Sequence, residues 1–243
     1  MTRVFVTGSA DGLGHAAAQA LLDDGHKVVV HTRSTQRLDA VRDLLDRGAE
    51  AVIGDLADPE ETRGVAEQVN RFGRMDAVIH NAGVGSGASV LPVNVVAPYL
   101  LTALIHRPQR LIYLSSSMHS GGRADLAGMD WRGQRVSGSY SDSKLFVTAL
   151  AMAVARLWPD VLSNAVDPGW VPTRMGGAGA TDDLELGHVT QTWLATSKAP
   201  ETQTSVGYWL HQRRTNPKPV VHDQRFQDEL LDALAHVTEV SLA

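Results

Sequence analysis

The sequence predicts an α/β protein with a doubly wound parallel sheet in a single domain. Three observations lead there. Short β-branched runs alternate with helix-forming stretches over roughly 165 residues, the signature of parallel strands joined by crossover helices. The runs stop at small or polar residues, where an open α/β sheet places its ligands. A chain of 243 residues with 43% hydrophobic content can also bury one large core.

The elements follow in order. Val4-Phe5-Val6 is too short and too β-branched for a helix and reads as the first strand. Thr7-Gly8-Ser9-Ala10-Asp11-Gly12-Leu13-Gly14 then opens into an alanine- and leucine-rich helix stopped by Gly25. Lys27 to Thr32 is a second strand, and Ser34 caps an expected helix carrying Leu38, Val41, Leu44 and Leu45 before Gly48. Ala51-Val52-Ile53 leads to Asp55-Leu56, Pro59 starts a helix to about Phe72, and Ala77-Val78-Ile79 leads to Asn81-Ala82-Gly83. Val93 to Ile105 reads as helix despite Pro98, and Leu111 to Leu114 as a strand stopping at Ser115, Ser116 and Ser117. A helix holds Tyr140 and Lys144 and runs toward Trp158; Val161 to Val166 is a strand entering Asp167-Pro168-Gly169. Leu184 to Leu194 and Gln224 to His236 have helical composition, with an edge strand at Val206 to Leu210 between them.

Composition removes several function classes. A net charge of −5 without long runs of one sign gives no electrostatic footprint for nucleic acid or an anionic membrane, so neither is an expected partner. There is no cysteine for a disulfide framework, and the histidines lack metal-ligand spacing. No apolar leader opens the chain and no run is long enough to cross a bilayer, which makes cytoplasmic the expected location.

The glycine turn is the first functional candidate. Gly8, Gly12 and Gly14 follow a strand and open a helix, where bare backbone approaches a pyrophosphate and the helix N-terminus presents free N–H groups. Ser9, Asp11 and Leu13 belong to the same turn. The second strand ends His31-Thr32-Arg33, without the acid that bonds an adenosine 2′-hydroxyl. Arg33 instead suits a 2′-phosphate, so NADP is favoured and NAD is the lesser possibility. Asp11 supplies no second positive charge.

Tyr140 and Lys144 are the second candidate. Four residues apart, they share one helix face. A phenol titrates near ~10, and an adjacent ammonium pulls that value down; bringing it near neutrality requires roughly 3 to 4 kcal/mol, which one lysine and a bound cation can supply.

Together these pieces resemble the short-chain dehydrogenase/reductase family over nearly the whole chain, a single Rossmann-type domain with NAD(P)-dependent enzymes. The matching residues are Thr7-Gly8-x-x-x-Gly12-x-Gly14, Asp55-Leu56, Asn81-Ala82-Gly83, the serine cluster, Tyr140-x-x-x-Lys144, and Pro168-Gly169 with Thr173. Gln191 to Thr196 and Gly207-Tyr208-Trp209 are similar to the branch that includes retinol-dehydrogenase-like reductases. The resemblance implies that Tyr140 exchanges a proton with the substrate oxygen, Lys144 lowers its pKa and binds the nicotinamide ribose, and a serine hydrogen-bonds that oxygen. Ser115, Ser116 and Ser117 compete for the serine role, and alignment with the family's strand favours Ser116. Asn94 would hold a water-linked proton path beside Lys144, although it follows Gly83 more closely than the family pattern has it. Asp55 and Leu56 would border the adenine, and Asn81, Ala82 and Gly83 the cofactor ribose; Pro168, Gly169 and Thr173 complete the implied cofactor contacts.

The expected activity is hydride transfer between nicotinamide and a small carbonyl or secondary alcohol. Loops near 84–91, 118–139 and 173–187 are the expected substrate walls, the last with a mobile glycine-rich part. His119 reads as a pocket wall or surface residue and Asp167 as a turn residue. The family also implies a homo-oligomer, dimer or tetramer. A protein that senses NAD(P) without turnover is the alternative, disfavoured because sensing needs no acid such as Tyr140; an epimerase or dehydratase would require a larger substrate domain.

Overall fold

The computed structural model describes residues 1–242. Eight strands form one sheet in the order β3-β2-β1-β4-β5-β6-β7-β8. They are β1 Arg3–Val6, β2 Lys27–Thr32, β3 Glu50–Ile53, β4 Ala77–His80, β5 Arg110–Leu114, β6 Leu162–Asp167, β7 Gly207–Leu210 and β8 Arg213–Thr215. All neighbours pair in parallel except β7 with β8. The helices are α1 Gly12–Asp23, α2 Arg42–Asp46, α3 Pro59–Arg71, α4 Ala97–Leu104, α5 Tyr140–Leu157, α6 Val189–Thr196 and α7 Gln224–Thr238.

The two faces of the sheet carry separate cores because side chains alternate along each strand. Phe5, Val29, Val78, Leu111 and Ala165 pack with α3, α4, α5 and α7. Val4, Val6, Val28, Val30, Ile79 and Ile112 pack on the other face with α1, α2 and α6. Burial on both faces explains why these strands are continuous apolar runs. Helix α5 is enclosed by the chain itself: Phe146 meets Trp131 at 5.7 Å and Phe226 of α7 at 6.1 Å between ring centroids.

Three expectations are corrected. The 206–210 strand is not an edge: β8 covers it, through a turn in which His211 and Gln212 take left-handed backbone angles. All three residues of β8 are exposed, so it carries no apolar period. The helix expected after Ser34 is a 3₁₀ segment, Thr35–Val41, followed by the short α2, and the Ser34 side chain caps nothing. Helix α6 starts at Val189 rather than Leu184, because Leu184 to Gly187 is a turn packed on α1; a Cβ on Gly187 would lie 2.7 Å from Leu13 Cδ2. Ahead of α4, Pro92–Val96 winds as a π turn, which places Pro98 in the first turn of α4.

The chain's crossover reverses between β1 and β4, where their following loops part to open a crevice at the carboxyl ends of the strands. No helix among the described residues is long and apolar enough to cross a membrane.

Candidate active site

A cleft of about 420 Å³ occupies that crevice. Its walls include Gly8, Asp11, Gly12, Leu13, Arg33, Asp55, Leu56, Asn81, Ala82, Gly83, Tyr140, Lys144, Pro168 and Thr173. Ser9, Gly14, Asn94, Ser116 and Gly169 are not on these walls. Ser9 is fully buried, its hydroxyl donating to Val6 O at 2.6 Å and accepting from His31 N at 3.2 Å, so its side chain serves the core. Gly14 is a packing residue beneath the turn.

At the glycine-turn end, Gly8 has φ +67° and packs against Ala82; a Cβ there would lie 2.9 Å from the Ala82 Cα. Thr7 joins the two loops, its hydroxyl accepting from the backbone N–H of Asn81 and of Ala82, each at 2.9 Å. Asn81 returns a bond from Nδ2 to Thr7 O at 2.9 Å. Asp11 precedes α1 but makes no side-chain cap to it. Its carboxylate instead meets Arg37 at 3.0 Å and Arg174 at 3.5 Å. The first-turn N–H groups of α1 are therefore left uncapped by any side chain, beside Gly12 and Leu13 on the cleft wall. Thr32 is buried, and Arg33 is exposed on the wall with Arg37 nearby.

His31 supports the turn from below. Gly8 N–H donates to Nδ1 at 3.0 Å, and Nε2 lies 2.8 Å from Gly54 O, which requires the neutral ring with its proton on Nε2. Burial lowers the His31 pKa, opposed by the bond to Gly54 and by Asp55. The unfolded state therefore binds the extra proton first. The stability contributed by neutral His31 is complete above about 6.5, the ordinary value, and is lost as pH falls from there toward the folded pKa. His31→Gln, which removes the titration, is expected to flatten the fall in Tm between about pH 7 and about pH 5 relative to the parent. Parallel curves in a melting series would refute this role.

At the other end, Ser139 and Asp142 form a reciprocal capping box that starts α5 at Tyr140. Ser116 stands near enough to the Tyr140 hydroxyl to favour its ionised form, while its own Oγ accepts from Met118 N at 3.2 Å. Ser115 lies on the cleft wall, its hydroxyl 2.6 Å from that of Thr148. Lys144 is buried, donates from Nζ to Leu114 O at 2.7 Å, and stands 5.5 Å from the centroid of the Tyr140 ring. Asn94 accepts from Val84 N at 2.8 Å and donates to Val84 O at 3.0 Å and Ser143 Oγ at 2.9 Å, bracing the loop after β4 against α5. The missing side chain of Gly83 makes room there, 3.4 Å from Asn94 Oδ1 and 3.6 Å from Lys144 Nζ.

The electrostatics correct one expectation. The Tyr140 phenol is not pulled down by its lysine; burial raises its pKa, Ser116 lowers it by hydrogen bonding, and Asp167 raises it again. Lys144 is itself pushed down to about 8 by burial, against the opposing pull of Asp167. At both groups desolvation is the largest influence.

The short chain dehydrogenase family model matches residues 2–106. Short-chain dehydrogenase chyC of Penicillium rubens is 35% identical over 256 residues, covering 100% of this chain and 99% of that protein. Short-chain dehydrogenase chry4 of Gibberella zeae is 35% identical over 257 residues, with the same coverage. The chain belongs to the short-chain dehydrogenase family. It is a nicotinamide-dependent oxidoreductase. Among solved structures, a blue fluorescent protein from a metagenomic library, in complex with NADPH, shares the fold at TM-score 0.70 and 22% identity, over 86% of this chain and 95% of that one. A short chain dehydrogenase from Burkholderia cenocepacia, in complex with NADP, matches at TM-score 0.70 and 20% identity, over 86% and 95% respectively.

In this short-chain dehydrogenase, sequence reasoning missed three features. Arg37, like Arg174, adds a cation to the cleft beside Arg33; it comes four residues after Arg33 and is carried there by the 3₁₀ segment Thr35–Val41. His31 was read only as part of a strand. Asp167 is more than a turn residue, for besides accepting from Gly169 N at 3.0 Å it receives the Tyr208 hydroxyl at 3.4 Å. His119, expected as wall or surface, is buried and bonded. In the 118–139 loop, Trp131 packs into the core beside Phe146, while Thr173, Arg174 and Met175 bring the 173–187 loop onto the cleft.

Proposed function

We propose that this protein is an NADP-dependent oxidoreductase acting between a small carbonyl and the corresponding secondary alcohol, with Tyr140 as general acid and base. The observation that carries the reading is the meeting of Tyr140 and Lys144 at one end of a cleft, with Ser116 acting on the Tyr140 hydroxyl from beside it, while the other end offers an uncapped helix N-terminus and three arginines, Arg33, Arg37 and Arg174. Those residues fit a dinucleotide: the N–H groups of α1 suit its pyrophosphate, and Arg33 and Arg37 suit a 2′-phosphate. When bound, the nicotinamide supplies the hydride chemistry.

The chain's own groups do the rest. Ser116 holds the substrate oxygen beside the Tyr140 hydroxyl. Tyr140 gives its proton to that oxygen during reduction and takes it back during oxidation. Lys144 holds the ribose and balances charge on the phenolate. Asn94 acts as a brace that keeps Ser143, and through it the first turn of α5, in register with the cofactor loops; Ser143 Oγ donates to Tyr140 O at 2.7 Å. Loops 84–91, 118–139 and 173–187 shape the substrate side.

Fluorescence titration with NADPH and NADH tests the cofactor assignment. The parent is expected to prefer NADPH, and Arg33→Ala and Arg37→Ala each to weaken NADPH about tenfold with little change for NADH, the scale of one charge-assisted hydrogen bond. Equal affinities of the parent for the two dinucleotides would overturn it. A panel of aldehydes and ketones with the preferred cofactor then tests turnover.

A further inference from the structure

Asp167 is a buried carboxylate to which the reaction described above gives no part. It ends β6, is 4% exposed, and receives Gly169 N–H at 3.0 Å and the Tyr208 hydroxyl at 3.4 Å, both neutral donors. It joins none of the ion pairs among the described residues. Lys144, 5% exposed, joins none of them either. The strand register brings these two opposite charges onto neighbouring strand ends. The ammonium is held by Leu114 O, Leu114 pairs with Val166, and Asp167 follows Val166 directly.

A hydrogen-bonded chain makes a second connection. The Tyr208 hydroxyl lies 3.2 Å from His119 Nδ1, and Nδ1 donates to Ser116 O at 2.7 Å. His119 Nε2 accepts from Lys218 N at 3.0 Å, which fixes the proton on Nδ1. The carboxylate is thus linked through Tyr208 and His119 to the backbone of the serine that faces Tyr140.

We propose that Asp167 is a positioning residue: a fixed negative charge behind the Tyr140 and Lys144 pair that holds both groups protonated and so poises the site for carbonyl reduction over alcohol oxidation. Reduction consumes the proton on Tyr140, whereas oxidation needs the phenolate to receive one, and a nearby anion opposes the phenolate. Both effects appear in the site, since Asp167 raises the pKa of Tyr140 and of Lys144. The other titratable or charged groups around it are Tyr208 on β7, His119 with Lys218 behind it, and Asp182 and His211 across Gly169. Burial raises the Tyr208 pKa and lowers that of His119, which leaves both neutral near pH ~7.

The inference rests on Tyr140 being the acid and base, so one measurement is independent of turnover. In the cofactor-free protein, acetylation of Lys144 by limiting acetic anhydride is followed against pH by peptide mass spectrometry; the chain has four lysines, which keeps assignment simple. Asp167→Asn keeps an acceptor for Gly169 N–H and removes the charge. Its Lys144 labelling midpoint is expected about one unit below the parent's, and the rising limb of its alcohol-oxidation profile with NADP⁺ to move the same way. Superimposable labelling curves would overturn the proposal even in an active enzyme. A shifted labelling curve in a protein without Tyr140-dependent turnover would instead sink the catalytic reading and the assigned poise with it. Asp167→Ser is the second neutral variant; if neither folds by circular dichroism, the carboxylate belongs to the fold and the proposal fails.

Discussion

Tyr140→Phe is expected to lower kcat for carbonyl reduction by a factor of about 10² to 10⁴, the usual share of a positioned general acid, or roughly 3 to 5 kcal/mol of barrier. The phenyl ring keeps the packing of the tyrosine while the proton donor disappears. Lys144 keeps its bond to Leu114 O, and the glycine turn lies at the far end of the cleft, so NADPH affinity should stay within about twofold of the parent, well under 1 kcal/mol. Ser116→Ala removes the hydroxyl that favours the phenolate and is expected to be milder, because the acid itself remains. Steady-state rates with a responsive ketone, alongside fluorescence titration of NADPH, separate the two effects. Turnover at the parental rate by Tyr140→Phe would remove Tyr140 from the chemistry, and a matched loss of NADPH binding would reassign it to the cofactor site.

The parts of this molecule that a reader of the sequence can find are those written into neighbouring residues. Strands β1, β2, β4 and β5 are buried on both faces along most of their length and so read as short apolar runs, and residues after the strands fall on the cleft because an open α/β sheet gathers ligands at its carboxyl edge. Gly8, Gly12 and the Tyr140 to Lys144 spacing belong to that local code. What escaped it depends on contacts between distant positions. Tyr208 reaches Asp167 across 41 residues and His119 across 89, and no period along the chain announces either meeting. The pairing of the Ser115 hydroxyl with Thr148, 33 residues away, is likewise a fact of packing. The sign of the Tyr140 shift escaped for the same reason: spacing shows a lysine one turn away, whereas burial and a carboxylate on another strand decide the balance.

Gly14→Ala is expected to carry a large cost to the fold. A Cβ at this position would stand 2.3 Å from Gly8 O and 2.4 Å from Asn81 Nδ2. Neither neighbour has room to retreat. Gly8 O is backbone in a turn packed against Ala82, and Asn81 Nδ2 is held by Thr7 O at 2.9 Å and Gly8 O at 3.3 Å. The methyl group must therefore push α1 away from the sheet or break the Thr7 and Asn81 lock between the two cofactor loops, and either route opens the crevice. Overpacking of this kind costs about 3 kcal/mol at its upper range, a fall in Tm of roughly 6 to 12 °C for a chain of this size. NADPH binding should weaken with it, since the displaced turn carries the proposed phosphate site. Gly64 supplies the matched control. It lies inside α3, and a Cβ there meets nothing within 4 Å, so Gly64→Ala is expected to gain roughly 0.5 to 1 kcal/mol from helix propensity alone. Opposite signs from the same chemical change, read as melting temperatures, would tie the effect to the closeness of α1 and the sheet. A Gly14→Ala protein that melts with the parent would show that the crevice tolerates the methyl group and that this glycine is not what closes it.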